Sequence, residues 1–366
     1  MIQKRIAIIG SVGLPAKYGG FETLTEYLTK HLTNSFDVTV YCSSVFYSNK
    51  LKSYNNANLK YIPVNANGIQ SILYDIISIF NALFYADVLL ILGVSGCIVL
   101  PLIKLISNKV IIVNIDGLEW KRAKWGKVAK MFLKYSEKIA VTYADSVVSD
   151  NKVIQDYVKQ VYNIKSELIA YGADHTKKKA LNANIVSKYP FLARKYALKV
   201  CRIEPENNIY LILHSFSDYP SLNIVVVGNW NNSNYGREMK LKFKNFENIH
   251  LLDPIYDQNI LDQIRSNCYI YVHGHTAGGT NPSLVEAMYL ELPIITYGVN
   301  YNVETTANKA KYFTNKDELI KILSNLNLEE LNMIAKEMKN VANKMYTWEV
   351  VSAHYANLFL QNLKKN

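Results

Sequence analysis

CYIYVHGHTAGGTNPSLVEAMYLELPIITYG, residues 268–298, holds a strand, a turn, a helix and a second strand in one short stretch. CYIYVHG (268–274) is a run of β-forming residues, and GGTN (278–281) is a turn of small and polar ones. Pro282 stands at the first helical position, where its missing N–H is no loss. Glu286 lies one turn inside that helix, Leu292-Pro293 stops it, and IITYG reads as a short buried strand. The turn also carries chemistry. Small residues let a ligand approach the backbone, and the free N–H groups and dipole of the helix start favour an anion. Either this is an ordinary β-turn-α corner, or a diphosphate held there by Gly279, Thr280 and Asn281 leaves Glu286 to accept hydrogen bonds from a neighbouring ribose.

The same alternation runs outward along the chain. IAIIG (6–10), DVTVYC (37–42), VLLILG (88–93), KVIIVNID (109–116) and ADSVVSD (144–150) read as strands, with amphipathic helices over 21–32, 125–140 and 151–162. A polar, lysine-containing stretch, DHTKKKALNANIVSKY (174–189), interrupts the pattern. Alternation resumes with YALKVCRI (196–203), SLNIVVVGN (221–229), NIHLLDPI (248–255), CYIYVHG and PIITYG. The class is therefore α/β, with doubly wound parallel sheets covered by helices on both faces. The expected divisions are 1–175, a junction at 176–195, a second domain over 196–346 and a final helix within 347–366. At 366 residues, 49% of them apolar and 19% charged, the chain suits two globular domains and not a disordered segment.

Four cysteines, Cys42, Cys97, Cys201 and Cys268, show no paired spacing and no clustered histidines, so they read as buried thiols in a reducing compartment. No signal-peptide pattern opens the sequence. VLLILGVSGCIVLPLIKLI (88–106) is apolar enough to suggest a membrane span, but Gly93, Ser95, Gly96 and Pro101 divide it into a buried strand and a short helix. A formal charge of +11 asks for an anionic partner or surface. Nucleic acid is the weakest choice, because no nucleic-acid-binding motif is present.

Several stretches bear candidate site residues. GSVGLPAKYGGFETL (10–24) is a glycine loop that does not fit a dinucleotide fingerprint but suits a sugar or phosphate, with Gly13 and Gly20 as contacts. In NIDGLEWKRAKWGK (114–127), Asp116 follows a strand, and it admits two readings: a cap for the next helix, or a carboxylate for the acceptor hydroxyl or a positively charged sugar. Glu119 is the second carboxylate of that segment. His273 and His275 share one strand face without a third metal ligand; His275 suits a donor to sugar or phosphate, and His273 either the core or a support behind the ligand contacts. Arg202 closes a strand and admits two readings, a surface ion pair or bidentate phosphate binding. Lys127, Lys130, Lys134 and Lys138 recur at three- and four-residue spacing beside Lys121, Arg122, Lys124 and several aromatics. That stripe is either a solvated face or a dock for anionic membrane.

The helix of 282–290 with its glycine turn resembles the donor-site motif of family 4 retaining glycosyltransferases: Glu, seven residues, Glu, then Ala-x-x-x-Gly-x-Pro. The 10–24 loop, DGLEWKR, YGAD (171–174), CRIEPENN (201–208) and GGTNPSLVEAM, in that order, resemble its bacterial rhamnosyltransferase-like subgroup, which serves capsule and cell-wall polysaccharide synthesis. The resemblance implies a GT-B fold with an interdomain cleft, a final helix crossing back to the first domain, and a retaining transferase. It implies a nucleotide-sugar donor, best dTDP-L-rhamnose and otherwise a UDP-hexose, with no metal and no other cofactor. The implied acceptor is a polyprenyl-diphosphate-linked saccharide at the inner face of the membrane, which makes the protein cytoplasmic and peripheral. A nucleotide-sugar epimerase or phosphorylase of the same architecture is the alternative. Three positions depart from the family pattern: Gly278 stands where the first Glu contacts the transferred sugar, Asn207 where a Lys assists Arg202 on the diphosphate, and Asp116 where many members carry a His.

Overall fold

The computed structural model describes residues 3–17, 19–121 and 125–365, so Arg122 and Lys124 of the basic stretch lie outside the described residues. The chain divides into two compact units, one of Met1–Tyr171 with Trp348–Asn366 and one of Gly172–Thr347.

In the first unit the strands are β1 (Arg5–Ile9), β2 (Asp37–Ser43), β3 (Ser53–Tyr54), β4 (Ala57–Ile62), β5 (Val88–Leu92), β6 (Val110–Asn114), β7 (Ser146–Ser149) and β8 (Glu167–Leu168). They form one sheet in the order β3-β4-β2-β1-β5-β6-β7-β8, parallel except for the β3–β4 pair. Every residue of β5, VLLIL, is buried, as is expected of a parallel strand covered on both faces. The 88–106 stretch resolves into that strand, a turn at Cys97–Val99 and the short helix Leu100–Ile106. No helix among the described residues is long and apolar enough to cross a membrane. The antiparallel edge hairpin turns on Asn55 and Asn56, both in the left-handed region at φ 48° and 59°. Asparagine tolerates that conformation, and two such residues make the tight turn that matches sheet twist.

The last helix, Trp348–Leu363, is part of this unit. Trp348, Val351, Tyr355, Leu358 and Phe359 recur at helical spacing and join the core formed by β1, β2 and helix Gly20–Leu32. Trp348 stacks on Tyr27 with centroids 4.7 Å apart, and the Tyr355 hydroxyl accepts a 2.8 Å bond from Asn114 Nδ2 at the end of β6.

The second unit holds β9 (Tyr196–Val200), β10 (Asn223–Val227), β11 (Ile249–Leu252), β12 (Ile270–His273), β13 (Ile294–Tyr297) and β14 (Lys311–Phe313). This sheet is parallel throughout, in the order β11-β10-β9-β12-β13-β14. The polar 174–189 stretch is docked onto helix Gln258–Ser266: the backbone N–H groups of Lys177, Lys179 and Asn182 donate to Asp262, Ser266 and Gln263. In both sheets the chain runs outward in opposite directions from a central pair, β1 and β5 in the first unit, β9 and β12 in the second. Loops that leave the carboxyl ends of such a pair diverge and open a crevice, the usual ligand site of doubly wound sheets.

Candidate functional site

The crevice of the second unit lies between the loop after β9, residues 201–208, and the loop after β12, residues 274–281. The two loops are sewn together. Asn208 Nδ2 donates to Gly274 O at 3.0 Å, and the Thr276 N–H and hydroxyl both donate to Glu206 O at 2.9 and 3.0 Å. Asn302 Nδ2 ties His275 O to Tyr297 O, each at 2.9 Å. Gly274 is required by this closeness, because a β-carbon there would lie 2.5 Å from Asn207 O and 2.7 Å from Ile212 Cδ1.

Arg202 is exposed at the start of the first loop. Asn207 is buried, and its amide donates to Arg202 O at 2.7 Å. The residue that replaces a cation thus holds the loop that carries Arg202. Gly279, Thr280 and Asn281 lead into helix Pro282–Tyr289, whose Asn281 makes no side-chain capping bond. His275 stacks on His273 with ring centroids 4.3 Å apart. His273 is wholly buried, and burial followed by the nearby Lys199 charge holds its pKa well below the ordinary histidine value, so it is neutral.

Glu286 is the most strongly held of these residues. Its Oε2 lies 2.7 Å from Arg265 Nη2 and its Oε1 3.1 Å from His175 Nε2, with the carboxylate 14% exposed. Burial disfavours its charge, but Arg265 and His175 outweigh burial and bring its pKa below the usual carboxylate value. A carboxylate has about four lone-pair sites, so the two partners leave room for a diol. At two positions of the resembled motif the backbone has a positive φ. Gly278, at the place of the motif's first Glu, has φ 123°, a conformation that a side chain strongly disfavours. Glu291 stands at the Gly position of that motif, a further departure, and keeps a left-handed φ of 61°.

His175 and Arg265 escaped the sequence reading. Arg265 carries the one local signal: it lies on the buried face of helix Gln258–Ser266 with Leu261 and Ile264, where a cation needs a partner. His175 sits in the lysine-containing stretch, and only folding brings it to Glu286, 111 residues away.

The remaining candidates belong to the first unit. Gly13, at φ 128°, packs against Cys42, whose Sγ would lie 2.6 Å from a β-carbon. Gly20 opens helix Gly20–Leu32. That helix holds the loop from beneath: Glu22 Oε1 accepts from Val12 N and Glu26 Oε2 from Ala16 N, each at 2.8 Å. These two N–H groups are therefore committed within the protein. Asp116 follows β6 with φ 59° and donates its N–H to Asn114 Oδ1 at 3.0 Å; a short turn, Glu119–Lys121, comes after it. Glu119 Oε1 accepts from Trp125 Nε1 at 3.0 Å, and Trp120 Nε1 donates to the buried Glu137 at 3.1 Å. On helix Lys127–Tyr143, Lys127, Lys134 and Lys138 are exposed and Lys130 is half-buried. Lys134 Nζ stands 4.7 Å from the Trp120 ring centroid. Val128, Met131 and Tyr135 are exposed among these lysines at 82%, 74% and 58%.

Residues 184–340 match the family described as glycosyl transferases group 1, and residues 3–174 match DUF1972, a domain of unknown function. Solved structures share the fold over almost the whole chain. Sucrose-phosphate synthase from Thermosynechococcus elongatus superposes with a TM-score of 0.81 at 14% identity, covering 100% of both chains. Anabaena HepE in complex with UDP-glucose gives 0.76 at 13% identity, covering 98% of this chain and 100% of that one. A glycosyltransferase from Rickettsia africae gives 0.73 at 13%, covering 100% of both. The fold is GT-B, two α/β units each built on a parallel sheet.

Proposed function

We propose that this chain, which carries a glycosyl transferases group 1 domain over residues 184–340, is a retaining glycosyltransferase using a nucleotide-sugar donor. The observation that carries the reading is the second unit's crevice. An exposed Arg202, a glycine loop running into a helix start and an ion-paired Glu286 meet at the carboxyl ends of β9 and β12. Those groups match the parts of a nucleoside diphosphate: guanidinium and helix start for phosphate, carboxylate for ribose. Asp116 and Glu119 are the carboxylates proposed for the acceptor side, acting without a metal ion.

dTDP-L-rhamnose is the donor proposed from the sequence resemblance, and a polyprenyl-diphosphate-linked saccharide is the acceptor. A face of the first unit supports the lipid-linked part. Lys127, Lys134 and Lys138 are exposed together with Val128, Met131 and Tyr135, and the packed neighbour helix Leu100–Ile106 exposes Leu102, Leu105 and Ile106. Basic and apolar groups side by side suit an anionic bilayer surface better than water.

A thermal-shift panel of UDP, dTDP, GDP, their nucleosides and their sugar conjugates tests the function. A ligand at 100 times its Kd adds about 2.7 kcal/mol of stability. One nucleoside diphosphate should raise the midpoint well above its nucleoside. A flat response to every diphosphate and every nucleotide sugar sinks the reading. With the donor known, the anomeric configuration of the product tests retention.

A further inference from the structure

Lys199 is the fourth residue of β9, three positions before Arg202, in a strand whose other residues, Tyr196, Ala197, Leu198 and Val200, are apolar. Its side chain is 1% exposed, and its Nζ has no hydrogen-bond partner among the described residues. Leaving a buried ammonium unpaired is costly, so the group calls for an explanation. Its position supplies one. Nζ lies 3.0 Å from where a β-carbon of Gly274 would stand, directly under the sewn loops of the crevice.

Among the described residues no carboxylate pairs with Lys199. His273, whose two ring nitrogens also lack hydrogen-bond partners among the described residues, is neutral. Burial raises the pKa of the Cys201 thiol even though Lys199 and Arg202 pull it down, so it too is uncharged. Glu286, the carboxylate on the helix that follows the glycine loop, is engaged by Arg265 and His175. Burial accordingly lowers the pKa of Lys199.

We propose that Lys199 is the second cation of the phosphate end of this crevice, acting from beneath the Gly274 loop in place of the charge absent at Asn207. The inference rests on the nucleotide-sugar reading. A charge in a poorly hydrated place is weakly screened, so it favours a diphosphate above the loop without touching it. The diphosphate is in turn the counterion that the ammonium lacks in the free protein.

The test compares the parent with Lys199→Met and Lys199→Gln by calorimetry, using UDP, dTDP, uridine, thymidine and inorganic pyrophosphate. Both variants should bind the preferred diphosphate and pyrophosphate roughly tenfold or more weakly and leave nucleoside affinity unchanged. Lys199→Met should also lose no thermal stability without ligand, since it removes an uncompensated buried charge. Unaltered diphosphate affinity in either folded variant overturns the proposal. So does equal weakening of nucleoside and diphosphate, or failure of both variants to fold, because each means that the amine serves packing. A parent that binds pyrophosphate but no nucleotide refutes the functional reading while leaving the lysine comparison intact. A parent that binds none of the five probes ends both.

Discussion

Glu286 and Asp75 are both buried carboxylates, and their surroundings push them in opposite directions. Glu286 is held below the ordinary value once Arg265 and His175 outweigh burial, so its contribution to stability is present above the unfolded pKa and lost as pH falls through the folded one. Asp75, on helix Gln70–Leu83 in the first unit, is pushed by burial up to about 8, with the Gly96 N–H only partly offsetting it. Its favourable contribution is complete below the unfolded carboxylate pKa and disappears as pH rises through about 8. Asp75→Asn should therefore flatten the fall in thermal midpoint between pH 5 and 8; an unaltered slope places the titration elsewhere. For Glu286, alanine is a poor probe because it strands Arg265, which is 2% exposed. Glu286→Gln keeps the shape, and it should cost donor affinity about 1.5–3 kcal/mol if the carboxylate accepts from ribose. Arg265→Met leaves Glu286 buried with one partner and should destabilise the protein by about 3–5 kcal/mol in urea titrations. Neither carboxylate's environment could be read locally, since Asp75 sits in an apolar helix and Arg265 lies 21 residues from Glu286.

Among the elements, the helix Trp348–Leu363 shows how spacing translates into packing. Its buried residues fall on one face, and that face completes the core of a unit whose remaining chain ends at Tyr171. Removing residues 348–366 should leave the first unit without a cooperative thermal transition, with increased dye binding to exposed core. Tyr355→Phe is the milder version. It strands the buried Asn114 amide and should cost about 1–3 kcal/mol, measured by denaturant midpoint. The strong strands, IAIIG, DVTVYC, VLLILG and KVIIVNID, appear near their expected places because each is dominated by β-branched and other apolar residues. The β3–β4 hairpin was not read. Its residues, SYNNANLKYI, mix polar and apolar types as an edge strand does, and the Asn55-Asn56 turn signal is weaker than Asn-Gly.

For the whole molecule the open matter is location. If the face of Lys127, Lys134, Val128, Met131 and Tyr135 meets lipid, binding to liposomes should need anionic headgroups and fall steeply with salt, over a Debye length of about 8 Å at physiological ionic strength. Replacing Lys127, Lys130 and Lys134 by Glu should abolish it while sparing transfer to a short soluble acceptor. Val128→Asp with Met131→Asp should weaken binding even at low salt, which a purely electrostatic attraction does not predict. Sedimentation with vesicles of varied charge measures all three, and a triple mutant that binds like the parent refutes the dock.

By itself the sequence determined the α/β class, most strands, the glycine loops and the identity of Arg202 and Glu286 as residues with a chemical task proposed for them. Those properties are local: periods of 2 and 3.6, turn residues and strand ends are written within a dozen positions. Tertiary structure alone decided which loops flank each crevice, that Glu286 pairs with His175 and Arg265, and that Val128 and Met131 face outward among the lysines. It alone decided that Lys199 is buried with no hydrogen-bond partner among the described residues. Charge and burial at a point in space are sums over groups far apart in the chain, and no local period encodes such a sum.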